Sequence, residues 1–93
     1  MQTIHEIVNS ESKTLIDVRS PQEFLNEHIQ GAINIPVQEI GMKADEISSM
    51  QKPIVVYCLS GGRSAVAAGI LLQAGIDEVY NGGGIGTMQL MLM

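Results

Sequence analysis

The chain has 93 residues, enough for one domain with a thin margin of stability, and 45% of them are apolar, which excludes intrinsic disorder. Five Lys and Arg against ten Asp and Glu leave a net charge of −5, which argues against nucleic-acid phosphates and anionic membrane surfaces as partners. One cysteine excludes an internal disulfide, and with two histidines it cannot complete a four-ligand zinc site.

The opening residues Met1 to Glu6 lack the basic and apolar regions of a secretion signal. No apolar run approaches the roughly 20 residues that span a bilayer. The expectation is a cytoplasmic protein, where a reducing environment preserves a lone thiol.

Strand and helix signals alternate along the chain. Thr14 to Arg19 is a short β-like run. Ser20-Pro21 supplies a cap and an N1 proline for a helix through about His28. Ala32 to Ile35 reads as a second strand, closed by Pro36, and Val37 to Ser49 as a helix weakened by Gly41. Pro53 to Tyr57 is apolar and β-branched, the pattern of a central strand buried on both faces. Ser64 to Ala74 is an Ala/Leu-rich helix stopped by Gly75. Glu78 to Tyr80 reads as a last strand, Gly82 to Gly84 as a turn, and Thr87 to Met93 as a terminal helix. Met88, Met91 and Met93 on that helix fit packing on a sheet better than a partner-binding surface. The alternation predicts a single α/β domain over residues 1–93, with a mainly parallel sheet between two helical layers.

Ligands of such sheets bind beyond the carboxyl ends of the strands. The central strand is followed there by Tyr57-Cys58-Leu59-Ser60-Gly61-Gly62-Arg63-Ser64-Ala65. Two glycines let the backbone turn successive N–H groups inward, and the next helix adds its unsatisfied donors. Arg63 adds a permanent cation. A thiol in that setting loses its proton more readily than the ordinary value of about 8.5 allows, and the thiolate is the nucleophile. Free cysteines often only pack, and an isolated arginine is usually a solvated charge. The position of Cys58 between a buried strand and Ser-Gly-Gly-Arg-Ser favours chemistry over packing.

These segments resemble the rhodanese family, whose members are sulfurtransferases. The resemblance rests on Leu15 to Arg19, on Glu23-Phe24 with His28 to Pro36, on Ile54 to Cys58 with Ser60 to Ala65, and on Val79 with Gly83-Gly84. It implies a three-layer α/β/α fold with a mainly parallel five-stranded sheet, the fifth strand near Gln2-Thr3-Ile4. It also implies a persulfide on Cys58, charged by a small anionic donor such as thiosulfate and discharged to cyanide, a thiol or a protein. Backbone amides of Leu59, Ser60, Gly61, Gly62, Arg63 and Ser64 would cradle the outer sulfur, with Arg63 binding the donor. Asp17 and Arg19 would support the loop, or simply form a structural ion pair. His28 reads as a structural hydrogen-bonding residue. Neither metal nor organic cofactor is implied.

Three positions depart from the family pattern. Glu27 stands where glycine is frequent, Met88 where tryptophan is frequent, and Leu59 where a polar or charged residue is frequent. The apolar Leu59 weakens the case for thiosulfate as the preferred donor. Cysteine-based phosphatases and arsenate reductases place one residue more between cysteine and arginine than the four found here. No aspartate follows closely to act as a general acid. A sulfur-carrier module serving a protein partner and a redox sensor are the remaining alternatives. With no second cysteine to resolve an oxidised Cys58, transfer to an external acceptor is the better fit.

Overall fold

The computed structural model describes residues 2–93. Helix α1 (Ile4–Val8) precedes strand β1 (Thr14–Asp17), helix α2 (Pro21–Asn26) and strand β2 (Ile33–Asn34). A 3₁₀ turn (Val37–Glu39) and helix α3 (Ala44–Ser48) lead to strand β3 (Ile54–Cys58). Helix α4 (Gly62–Gln73), strand β4 (Val79–Gly84) and helix α5 (Ile85–Met91) follow. The sheet is wholly parallel in the order β2-β1-β3-β4.

Among the described residues the sheet therefore has four strands rather than the expected five. The segment proposed as the fifth strand opens a helix instead. Thr3 Oγ1 accepts the Glu6 N–H, and the Glu6 carboxylate accepts the Thr3 N–H, a reciprocal cap that satisfies two orphan donors. Ile7 and Val8 on that helix are then buried against the sheet.

The helix expected over Val37 to Ser49 is two pieces, a 3₁₀ turn and α3, separated around Gly41. Its apolar positions Ile40 and Ile47 still reach the core. Helix α4 starts at Gly62, two residues before its expected start. At its other end the chain turns through Gly75 at φ +90°, and the Ile76 N–H reaches back to Leu71 O at 3.2 Å.

Every residue of β3 is buried, and its side chains alternate between two cores. Ile54, Val56 and Cys58 face Ala67 and Leu71 of α4 with Ile40 and Ile47. Val55 and Tyr57 face Ile7, Val8, Ile85 and Met88. This is the two-sided burial that the continuous apolar run predicts.

Gly82 to Gly84, expected as a turn, belongs to β4. The pairing with β3 slips there, from Val56 opposite Asn81 to Tyr57 opposite Gly83. The extra residue, Gly82, forms a bulge next to the site, where bulges commonly re-aim side chains. Glycine is needed because a Cβ at 82 would lie 2.5 Å from Met88 Sδ and 3.0 Å from Val55 Cγ1. Among the described residues, no helix is long and apolar enough to cross a membrane.

Gly82→Ala overfills this packing and should cost about 1–3 kcal/mol in urea unfolding. The same change at Gly86, where nothing lies within 4 Å, serves as the control and should cost little or nothing. Equal stability of the two variants would mean that Met88 repacks freely.

Candidate active site

The carboxyl end of β3 delivers Cys58 to the base of the loop, with its side chain in the α4 core and only 1% exposed. The chain then reverses through Gly61 at φ +101°, a conformation that favours glycine, and enters α4. The reversal brings loop donors back onto the sulfur. The Gly61 N–H lies 2.9 Å from Cys58 Sγ and the Ser64 N–H 3.4 Å. Ser64 Oγ is 3.4 Å away. Burial pushes the thiol up, but hydrogen bonding from Ser64 and from the Gly61 and Ser60 N–H groups outweighs it, and Cys58 lies below the ordinary cysteine value.

Asn81, exposed by the β4 bulge, ties the loop to the sheet. Its Oδ1 accepts the Ser64 hydroxyl at 2.6 Å and the Gly83 N–H at 2.9 Å, while its Nδ2 donates to Gly61 O at 3.2 Å. Gly84 lets the two segments touch. A Cβ there would stand 2.4 Å from Leu59 O. Leu59 turns outward with 59% exposure, and Ser60 and Gly62 are also exposed at the rim.

Arg63 lies beside the loop, but its charge is engaged. Nη1 and Nη2 donate to Glu23 Oε1 and Oε2 at 2.7 and 3.0 Å, a two-bond fork. Glu23 is itself held at the start of α2, where its Oε1 accepts the Ser20 N–H and its own N–H donates to Ser20 Oγ. The Arg63 fork, with the Ser20 N–H, holds the Glu23 carboxyl down at about 2.

Asp17 and Arg19 are both buried and form an ion pair, with Nη2 to Oδ2 at 2.7 Å and Nε to Oδ1 at 3.0 Å. Arg19 Nη2 also donates to Glu27 O at 2.6 Å, and its guanidinium carbon stands 6.0 Å from the Tyr57 ring centroid. Among the described residues, no side-chain hydrogen bond of either ends on residues 58–64. The pair fastens the chain leaving β1 to the end of α2. His28, with Nδ1 2.8 Å from Phe24 O and its ring stacked on Phe24, is held in the same helix end.

A low-pKa sulfur at the base of an amide-lined loop suits a covalent sulfur or acyl carrier, and comparison with known proteins narrows this. The family model for the rhodanese-like domain matches residues 1–85. The chain belongs to the rhodanese family.

Among its relatives, thiosulfate sulfurtransferase PspE of Escherichia coli is 41% identical over 71 residues, covering 75% of this chain and 68% of that protein. The uncharacterized protein YqhL of Bacillus subtilis is 45% identical over 67 residues, covering 72% of this chain. This rhodanese spans about half of YqhL, 52% of its length. A solved structure described as rhodanese with anions from E. coli superposes with a TM-score of 0.73 at 36% identity, covering 81% of this chain and 89% of that one.

Two residues that shape this rhodanese site escape sequence reasoning. Glu23 carries a visible signal as the third helical residue after Ser20 and within the segment that resembles the family, but neither points to Arg63; their pairing joins positions 40 apart. Asn81 falls between the expected strand Glu78 to Tyr80 and the expected turn Gly82 to Gly84, and carries no signal of its own until the bulge places it against the loop.

The cysteine is single, so the ultraviolet absorbance of its thiolate, blanked against Cys58→Ala, reports its pKa directly. The midpoint should fall below about 8.5. Asn81→Ala removes the ties to Gly61, Ser64 and Gly83 that hold the curl and should shift the midpoint. An unmoved midpoint in Asn81→Ala would remove that residue from the support of the loop.

Proposed function

We propose that this rhodanese is a sulfurtransferase that carries sulfur as a persulfide on Cys58. The observation that carries the reading is the Gly61 N–H at 2.9 Å and the Ser64 N–H at 3.4 Å from the same sulfur. Such donors stabilise an anion without rearrangement during reaction.

The first step is attack of the Cys58 thiolate on the outer sulfur of a donor. With thiosulfate, a new S–S bond forms at Cys58 while the donor's S–S bond breaks, and sulfite leaves with the bonding pair. The enzyme then holds a persulfide anion, and the loop amides of residues 59–64 face its outer sulfur. In the second step an external nucleophile (cyanide, a thiol or a protein thiol) takes that outer sulfur and returns Cys58 as thiolate. Neither step needs an added oxidant or reductant, because the donor's sulfane sulfur is already at the oxidation level of the product. The family membership supports sulfur transfer as the chemistry, and the relatives' names make thiosulfate the first donor to try.

A protein acceptor, with the chain acting as a sulfur carrier, is the same chemistry with a larger nucleophile. The exposed Leu59 at the rim favours an acceptor or donor with apolar surface over a bare ion.

Intact-protein mass spectrometry tests the assignment. Treatment with a sulfane-sulfur donor should add the mass of one sulfur atom to the wild type and none to Cys58→Ala, and cyanide should remove it. Equal gain in Cys58→Ala, or no gain from either thiosulfate or an alkyl hydrodisulfide, would end the proposal.

A further inference from the structure

Where positive charge sits decides which donor this site takes, and very little of it faces the loop. The chain has five Lys and Arg. Lys13 and Lys52 flank the amino ends of β1 and β3, the opposite end of the strands from Cys58, and donate to Ser10 O and Ser48 O. Lys43 stands 4.0 Å from Glu46 at the start of α3. Arg19 is buried on Asp17. Arg63 is therefore the cation within the loop itself, and both of its terminal nitrogens are bound to Glu23.

The Glu23–Arg63 pair has no net charge. Its geometry is set by the two-bond fork and by the reciprocal cap that fixes Glu23 on Ser20, with the Arg63 and Glu23 side chains 39% and 31% exposed. To use Arg63 for a dianion, the site would have to break two charge-assisted hydrogen bonds and bring the dianion close to a carboxylate. The protein's charge of −5 adds a weaker repulsion at longer range. A hydrodisulfide carries at most one negative charge, on the sulfur that the loop N–H groups receive; its uncharged organic end needs no cation and gains contact with the apolar Leu59 rim.

We propose that Glu23 is a specificity-determining residue that withholds Arg63 from the cradle, so that the site prefers a hydrodisulfide with an uncharged organic end over a dianionic donor such as thiosulfate. This rests on the reading of Cys58 as the sulfur carrier. The step balances without a further reactant: Cys58–S⁻ and R–S–SH give Cys58–S–SH and R–S⁻. One S–S bond forms, one breaks, and the alkyl thiolate leaves with the electron pair.

The test measures single-turnover sulfur gain on Cys58, by quenched-flow mass spectrometry at about pH 8. The donors are sodium thiosulfate and 2-hydroxyethyl hydrodisulfide. Wild type should favour the hydrodisulfide at least about tenfold in rate per unit of donor concentration. Glu23→Gln keeps the helix cap, because glutamine serves at that position, and removes the charge that holds Arg63. It should lower the half-saturating thiosulfate concentration at least about fivefold, with the larger part of the effect there rather than in the limiting rate. In an Arg63→Gln background the same change should have no such effect, as coupling through Arg63 requires.

A second measurement needs no variant. Raising ionic strength from about 0.01 to about 0.15 M should leave the wild-type half-saturating thiosulfate concentration level or lower it, because salt screens only repulsion. A rise with salt would reveal an available cation and overturn the proposal. So would an unchanged thiosulfate response in Glu23→Gln when both donors charge Cys58. Absence of sulfur gain from either donor would instead overturn the assignment of Cys58, and this inference with it.

Discussion

The meeting of the Gly61 and Ser64 N–H groups with the Cys58 sulfur is the interaction on which the rest of the site depends. Desolvation alone would hold the thiol protonated, because burial disfavours charge. The Ser64 side chain and the loop amides together reverse that tendency, and they reach the sulfur because the loop is tightly curled. Gly61 in the left-handed region supplies the reversal, and Asn81 fastens it to β4. A buried sulfur and a lowered thiol pKa are thus compatible here through the curl of the loop, with the side-chain cation bound to Glu23.

The parallel sheet explains why the loop can be so well defined. Strand β3 is hydrogen-bonded on both sides and buried on both faces, so Cys58 has little freedom to shift. The bulge in β4 then adjusts the neighbouring strand to the loop. It turns Asn81 toward Ser64 and brings Gly84 against the Leu59 carbonyl, a contact only glycine permits. The departure of tryptophan to Met88 has a consistent partner in this region. Met88 is fully buried and its sulfur occupies the space left beside Gly82. A flexible thioether suits such an irregular gap.

Two arginines that look alike in sequence have different surroundings. Arg19 is buried and bound to Asp17 and Glu27 O, where it joins β1 to α2. Arg63 is half-buried and bound to Glu23 on the same helix. Helix α2 therefore touches both arginines, although it has no fully buried residue of its own. Polar contacts at its two ends hold it in place: the cap and Arg63 pairing at its start, and the Arg19 bond to Glu27 at its finish. Its position bears directly on the electrostatics of the loop.

The amino-acid sequence by itself determined the alternation of strands and helices, the central buried strand, and Cys58 at the mouth of a glycine-rich loop. These features are local: apolar runs, caps, helix-stopping glycine and the order of residues after a strand are written in neighbouring positions. The fifth strand near Gln2-Thr3-Ile4 is an implication of the family resemblance alone; those three residues carry too little periodicity of their own, and the Thr3–Glu6 cap opens a helix there. The glycine run was misread as a turn because a bulge exists only relative to a paired strand. What only the tertiary structure decided lies between distant positions. It joined Glu23 to Arg63 and Asn81 to Ser64, and it sent the Asp17–Arg19 pair toward Glu27 rather than the loop. Such contacts arise when packing brings separate elements together, and no spacing along a single chain encodes them.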